Sequence, residues 1–331
     1  MKKVALYLMI AVLAVFAVAC GSGGASTTGS ANGGAEQPKA QEGQGTPATE
    51  AQSEELTIKH QLGETKVKKN PKKVVVFDFG TLDTLDKLGI EVAGLPKASI
   101  PAYLEKYKDD KYANAGGLKE PDFEKINEVK PDLIIISGRQ QNMYEEFKAI
   151  APTIYMGVDT SRYMESFTEN AKTIGQIFGK ESAVEEELAK INESIKKLNE
   201  KATASGKNAL IILANDGKVS AYGAGSRFGI IHDVFGVAPV DKNIEASTHG
   251  QSISFEYIVE KNPDYLFVVD RGAVVGGQSS AKNVVENELV KKTKAFKEGH
   301  VAYLKPDFWY LSGGGLISVS EMVKEIDNGL K

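Results

Sequence analysis

Two arginines stand at matching ends of a segment that the chain carries twice. The first copy runs FEKINEVKPDLIIISGR from Phe123 to Arg139, and the second runs FEYIVEKNPDYLFVVDR from Phe255 to Arg271. The copies align without a gap, 132 residues apart. A guanidinium stays charged, forks toward paired oxygens and stacks on flat rings. Arg139 and Arg271 would therefore offer one such cation from each half of the chain.

Each copy also says how its arginine is positioned. A short helix carries Glu and Ile. Pro-Asp ends it, because proline lacks an amide proton and disfavours helix in the residue before it. A continuous apolar run follows, as in a strand covered on both faces. The arginine sits just past the strand. In open α/β sheets ligands gather outside the carboxyl ends of the strands. A fixed long-range offset with matched chemistry indicates duplication. A second echo precedes the repeat: Asp86-Lys87-Leu88-Gly89-Ile90 and Asp233-Val234-Phe235-Gly236-Val237 lie 147 residues apart, so the first half carries 15 more residues between echo and repeat.

The surrounding chain fits two α/β lobes. In the first, residues 56–179, Leu56 to Val67 alternates as a hairpin around Gly63-Glu64. Lys72-Lys73-Val74-Val75-Val76-Phe77 is the first buried strand. Leu82, Leu85 and Leu88 space a helix ended by Gly89, and Val92 to Leu95 is a strand with Lys97 at its exit. Phe167, Ala171, Ile174 and Phe178 mark a further helix ended by Gly179. Residues 180–204 form the joint. There Ser182 and Glu185 suit a capping box, and Val184, Leu188, Ile191, Ile195 and Leu198 lie on one face. Glu186–Lys190 and Glu193–Lys197 are favourable pairs on the outer face. One helix of ~30 Å follows from 1.5 Å per residue, and such a rigid joint predicts small lobe movement. In the second lobe, residues 205–331, Ala209 to Leu213 pairs back with Lys218 to Tyr222 across Asp216-Gly217, a strong hairpin turn.

The 331 residues carry a net charge of −4, which gives no support for nucleic-acid binding. A single Cys excludes an intramolecular disulfide and a Cys metal cluster. The basic Met1-Lys2-Lys3 and the apolar stretch to Ala19 form a signal peptide, residues 1–19, too short for a stable membrane span. Ala17-Val18-Ala19-Cys20 resembles the lipobox of bacterial lipoproteins, which implies cleavage before Cys20 and lipidation of its thiol. The remainder of residues 20–55 is Gly, Ser, Thr, Ala, Gln and Glu, a spacer that buries too little surface to fold. The expected location is the extracytoplasmic face of the cell membrane.

The folded region resembles the siderophore-binding lipoproteins of bacterial ABC importers. Ser137-Gly138-Arg139-Gln140, Gly225-Ser226-Arg227-Phe228-Gly229, Val269-Asp270-Arg271-Gly272 and Trp309-Tyr310-Leu311-Ser312-Gly313-Gly314-Gly315 are similar to motifs of the Gram-positive proteins that bind petrobactin and related ferric catecholates. The resemblance implies two Rossmann-like α/β lobes joined by one long α-helix. It implies a cleft lined by Arg139, Arg227 and Arg271, with one surface glutamate per lobe, Glu124 and Glu256, docking on a permease dimer. It also implies a monomer whose cargo supplies all the iron ligands, so that the protein needs no cofactor and no metal ligand of its own.

Charge supports this independently, because six hard oxygen donors carry more charge than Fe(III) neutralises. Trp309 and Tyr310 suit stacking on catechol rings or on an arginine. Lys97 and His249 are further candidates at the cleft, and Gly313 to Gly315 give the backbone room near the ligand.

Three other classes fit the sequence less well. A direct metal-ion site needs about four His and carboxylates together, and His60, His232, His249 and His300 are scattered. A haem or corrinoid binder of the same fold is the main alternative, but haem wants an axial Tyr, His or Met and three arginines favour a more anionic cargo. No nucleophile elbow, P-loop or dinucleotide fingerprint argues for an enzyme.

Overall fold

The computed structural model describes residues 54–331. The signal peptide, Cys20 and nearly all of the spacer lie outside the described residues.

The chain enters through an antiparallel hairpin, β1 (Glu55–His60) and β2 (Gly63–Lys68). Its turn is Gln61-Leu62, two residues before the expected Gly63-Glu64, and the Leu62 amide donates to His60 Nδ1 at 3.3 Å. Then follow β3 (Val74–Val76), α1 (Phe79–Lys87), β4 (Gly94–Leu95), β5 (Ala113–Asn114), α2 (Phe123–Val129), β6 (Leu133–Ile136), α3 (Tyr144–Ile150) and β7 (Thr153–Tyr155). The first sheet has the order β5-β4-β3-β6-β7 and is parallel throughout.

Helix α4 (Tyr163–Phe178) packs on α1 and α5, and α5 (Glu181–Ser205) crosses to the second lobe, where Asn199 donates to the Val234 carbonyl. The α5 stripe is Val184, Leu188, Ile191, Ile195, Leu198 and Ala202, all buried. Its outer pairs form, Lys190 to Glu186 at 2.9 Å and Lys197 to Glu193 at 2.6 Å. The expected capping box does not. α4 closes at Gly179 and the Lys180 amide turns back to the Gly175 carbonyl at 2.8 Å. Helix resumes at Glu181, so Ser182 lies inside it and no side chain caps the start.

The second lobe contains β8 (Asn208–Asn215), β9 (Lys218–Tyr222), α6 (Ile230–Asp233), β10 (Ala238–Pro239), β11 (Gln251–Ile253), α7 (Phe255–Lys261) and β12 (Tyr265–Asp270). After these come α8 (Gly272–Val275), α9 (Ala281–Val285), α10 (Lys294–Lys297), β13 (Val301–Leu304) and α11 (Leu316–Gly329). Its sheet has the order β11-β9-β8-β12-β13, with β8, β12 and β13 parallel and the β9 and β11 edge antiparallel. Asp216 and Gly217 both have positive φ, as the tight β8–β9 turn requires.

The duplicated segments fold alike. Asp122 caps α2 through the Lys125 amide, and Ser254 caps α7 through the Tyr257 amide. Both helices end on a non-glycine residue with positive φ, Lys130 and Asn262, just before the proline. The aspartate of Pro-Asp then ties its strand to the neighbour: Asp132 accepts from the Lys72 and Lys73 amides at 2.9 Å, and Asp264 accepts from the Asn208 amide at 2.9 Å. The strands so placed, β6 and β12, are interior in their sheets.

After β13 the chain turns back across the joint. Asp307–Ser312 is a π-helical turn, and α11 packs on α1 of the first lobe and on α5. A single apolar core therefore runs from Val74 and Leu82 through Leu188 and Ile191 to Ile211, Phe267 and Val323. Moving the lobes apart would require repacking these close-packed side chains.

Candidate functional site

The chain has four arginines, and three of them meet at one tyrosine. Arg139 leaves the end of β6 through Ser137-Gly138. Arg271 follows β12 directly. Arg227 comes from the loop between β9 and α6. Their guanidinium carbons lie 6.0, 5.7 and 4.2 Å from the centre of the Tyr310 ring, in that order.

The contacts differ in kind. Arg139 Nη2 donates to the Tyr310 carbonyl at 2.7 Å, and Arg227 Nη2 donates to the same oxygen at 2.6 Å. Arg271 Nε donates to the Tyr310 hydroxyl at 2.8 Å while its Nη1 donates to Asn215 Oδ1 at 2.6 Å. All three arginines and Tyr310 are half-buried. Among the described residues none of the three guanidiniums is within ion-pair distance of a carboxylate. The fourth arginine, Arg162, is paired on the surface with Asp159 and Glu165.

Three cations held together without counter-charge disturb one another. Burial, and then the neighbouring Arg139 charge, lower the Arg227 pKa. Burial pushes the Tyr310 phenol up, but the Arg271 hydrogen bond and the charges of Arg227, Arg271 and Arg139 outweigh it, so its pKa falls below the ordinary tyrosine value. The Arg139 charge also reaches Asp78, the N-cap of α1, whose carboxyl burial nevertheless raises. Such a site stabilises negative charge on oxygen, whether that oxygen belongs to a ligand or to Tyr310 itself.

Other residues singled out from the sequence fall elsewhere. Trp309 is not at the cluster: it is 3% exposed, its Nε1 donates to Glu325 at 2.8 Å, and it packs edge-on to Phe228. The π-helical turn rotates successive side chains around its axis, so Trp309 enters the joint while its neighbour Tyr310 meets the arginines. Lys97 is spent on structure, with Nζ donating to the carbonyls of Lys108 and Asp109 at 3.2 and 2.8 Å. His249 is exposed in the loop before β11, next to Gly250, which closes on the Tyr222 ring; that ring packs on Phe228 beside Arg227. Glu124 and Glu256 are exposed in the first turns of α2 and α7. The room made by Gly315 belongs to the first lobe rather than to a ligand: a Cβ there would overlap the Asp83 carboxylate and the Gly80 carbonyl.

Asn215 was not singled out from the sequence, although it ends β8 just before the hairpin turn. The scarcity of arginine, four against 36 lysines, was the unused signal that marked the cluster. A separate cavity of about 460 Å³ lies within the first lobe, lined by Lys59, His60, Tyr155, Arg162, Glu169 and Asn170 among others. It shares no residue with the cluster and its arginine is neutralised, so the chemistry points away from it.

The model of the family described as "Periplasmic binding protein" matches residues 74–308. The petrobactin-binding protein YclQ of Bacillus subtilis is 57% identical over the full length of both chains. Its crystal structure superposes with a TM-score of 0.82 at 62% identity, covering 84% of this chain and 99% of that one. The catecholate-siderophore binding protein VctP of Vibrio cholerae gives a TM-score of 0.79 at 38% identity, covering 83% of this chain and all of that one. The chain belongs to the periplasmic binding protein family, among its siderophore-binding members.

Proposed function

We propose that this protein binds a ferric catecholate siderophore, petrobactin or a close analogue, at Arg139, Arg227 and Arg271 and delivers it to an ABC permease. The observation that carries the reading is the convergence of three guanidiniums, free of carboxylates, on the carbonyl and hydroxyl of Tyr310. Those two oxygens occupy donors that an anionic ligand would take over. The name of the Bacillus subtilis relative supports petrobactin as the cargo. Cys20 carries the lipid anchor, and residues to about 55 are the spacer from which the lobes reach the permease.

Glu124 and Glu256 are the docking pair. They hold equivalent positions in duplicated helices, so a two-fold permease would meet the same chemistry twice. The protein acts as a monomeric carrier and no bond is made or broken in its cargo.

The test is a titration of the purified protein with ferric petrobactin, a ferric hydroxamate, haem and cobalamin, followed by intrinsic fluorescence. Tight quenching by the catecholate alone is expected. Preferential binding of the hydroxamate, haem or cobalamin would keep the fold and discard the anionic-cargo reading.

A further inference from the structure

The segment that carries Tyr310 is pinned to the first lobe by a carboxylate with no exposure to solvent. Asp83 lies on α1 at 0% exposure. Its Oδ1 accepts from the Ile317 amide at 3.1 Å and its Oδ2 from the Ser318 amide at 3.0 Å. These are amides at the N-terminus of α11, whose own N-cap position is Gly315 and offers no side chain. The next residue of α1 adds to this, with Thr84 Oγ1 accepting from the Leu316 amide at 3.2 Å. The first lobe thus caps a helix that the second lobe sends back, supplying acceptors to amides that the helix itself leaves unpaired.

Tyr103 extends the grip toward the site. Its hydroxyl lies 2.9 Å from Asp83 Oδ2 and 2.7 Å from Ser312 Oγ, two residues beyond Tyr310. Asp307, at the other end of the π-helical turn, accepts from the Ala102 amide at 2.7 Å. The turn is held at both ends by the first lobe. Its middle presents the Tyr310 carbonyl to one arginine from each lobe.

We propose that Asp83 is the positioning residue of the arginine site: it fixes the start of α11 against the first lobe and so sets where Tyr310 meets Arg139, Arg227 and Arg271. This rests on the siderophore-binding reading above, but its geometry is independent of any ligand. Asp83 touches no cargo, and its effect travels through the eight residues from Tyr310 to Ile317.

The test uses Asp83→Asn, which keeps the volume but replaces one acceptor oxygen by a donor facing helix amides. Tyr310 ionisation is followed in the ligand-free protein by NMR of ring-labelled tyrosine, with Tyr310→Phe assigning the signal. In the parent protein Tyr310 titrates below the ordinary tyrosine value of about 10. In Asp83→Asn it moves up toward that value, and affinity for ferric petrobactin falls about tenfold.

An unchanged Tyr310 titration with unchanged affinity, alongside a lower melting temperature, would reduce Asp83 to a structural cap and overturn the proposal. If the titration shifts but the parent protein binds no ferric petrobactin, the positioning stands and the cargo reading fails. Should Asp83→Asn not fold, Tyr103→Phe keeps the ring packed on Phe308 and removes only the hydroxyl bridge. A smaller shift in the same direction is expected from it, and no shift in it overturns the proposal.

Discussion

The two lobes use one offset-matched pair of positions differently. The spacing of 147 that relates Asp86–Gly89 to Asp233–Gly236 also pairs Gly80 with Arg227. At Gly80 the backbone abuts the returning segment, and an added Cβ would sit 3.0 and 3.1 Å from the carbonyl oxygens of Gly313 and Ser312. Arg227, at the matching offset but in the loop before α6 rather than inside a helix, extends a guanidinium to the Tyr310 carbonyl. One lobe receives the crossing chain and the other supplies the extra charge. Duplication accounts for matched strand ends, while a single site between the lobes needs them to be unequal.

The equivalent arginines differ in the same sense. Arg139 of the first lobe donates to main-chain oxygen, and Arg271 of the second donates to the side chains of Tyr310 and Asn215. Removing the charge with no counterpart should do most. Arg227→Ala is expected to weaken ferric catecholate binding by about 2–5 kcal/mol, measured by titration, because it strips a desolvated charge from the ligand. Unchanged affinity in a folded protein would take Arg227 out of the site.

Arg139→Ala and Arg271→Ala should each cost less, about 1.5–3 kcal/mol, the range for hydrogen bonds to charged groups. They should also separate spectroscopically. Arg271→Ala removes the hydrogen bond to the Tyr310 hydroxyl and should raise the phenol pKa further than Arg139→Ala does, as read by tyrosine absorbance. The reverse order would break the distinction between main-chain and side-chain recognition.

A smaller effect concerns the crossing itself. Burial pushes the Asp83 carboxyl up to about 7, against the hydrogen bonds from Ser318, Ile317 and Tyr103. The folded chain then holds a proton that an unfolded carboxyl, near pH 4, has lost. Stability from that proton is present at low pH, declines as pH rises from about 4 through about 7, and is gone above. Urea unfolding across this window should show the decline in the parent protein and a flatter profile in Asp83→Asn. Equal slopes would mean that Asp83 ionises as an ordinary carboxylate.

Much of this architecture was legible in the sequence. The repeated helix–Pro-Asp–strand segment located β6, β12 and the arginines beyond them, because proline, a turn-forming cap and an unbroken apolar run are local signals. The α5 stripe and its charged pairs were legible for the same reason. The failures lie where long-range contacts decide. Ser182-Ala183-Val184-Glu185 reads as a capping box, yet the tight α4–α5 turn leaves it no room. Trp309 and Tyr310 look alike in sequence, and only the π-helical turn sends one inward and the other to the cluster. Asp83 is one acidic residue among 44 Asp and Glu, and nothing local shows that it meets a helix 234 residues further on.

The central claim is that one anion site straddles the lobes at Tyr310. A crystal structure of the protein with ferric petrobactin tests it most directly. The account predicts ligand oxygens at hydrogen-bonding distance, roughly 3 Å, from Arg139, Arg227 and Arg271 together, with lobe positions little changed. A ligand seated in the first-lobe cavity beside His60 and Arg162, or held by one lobe alone, would contradict it.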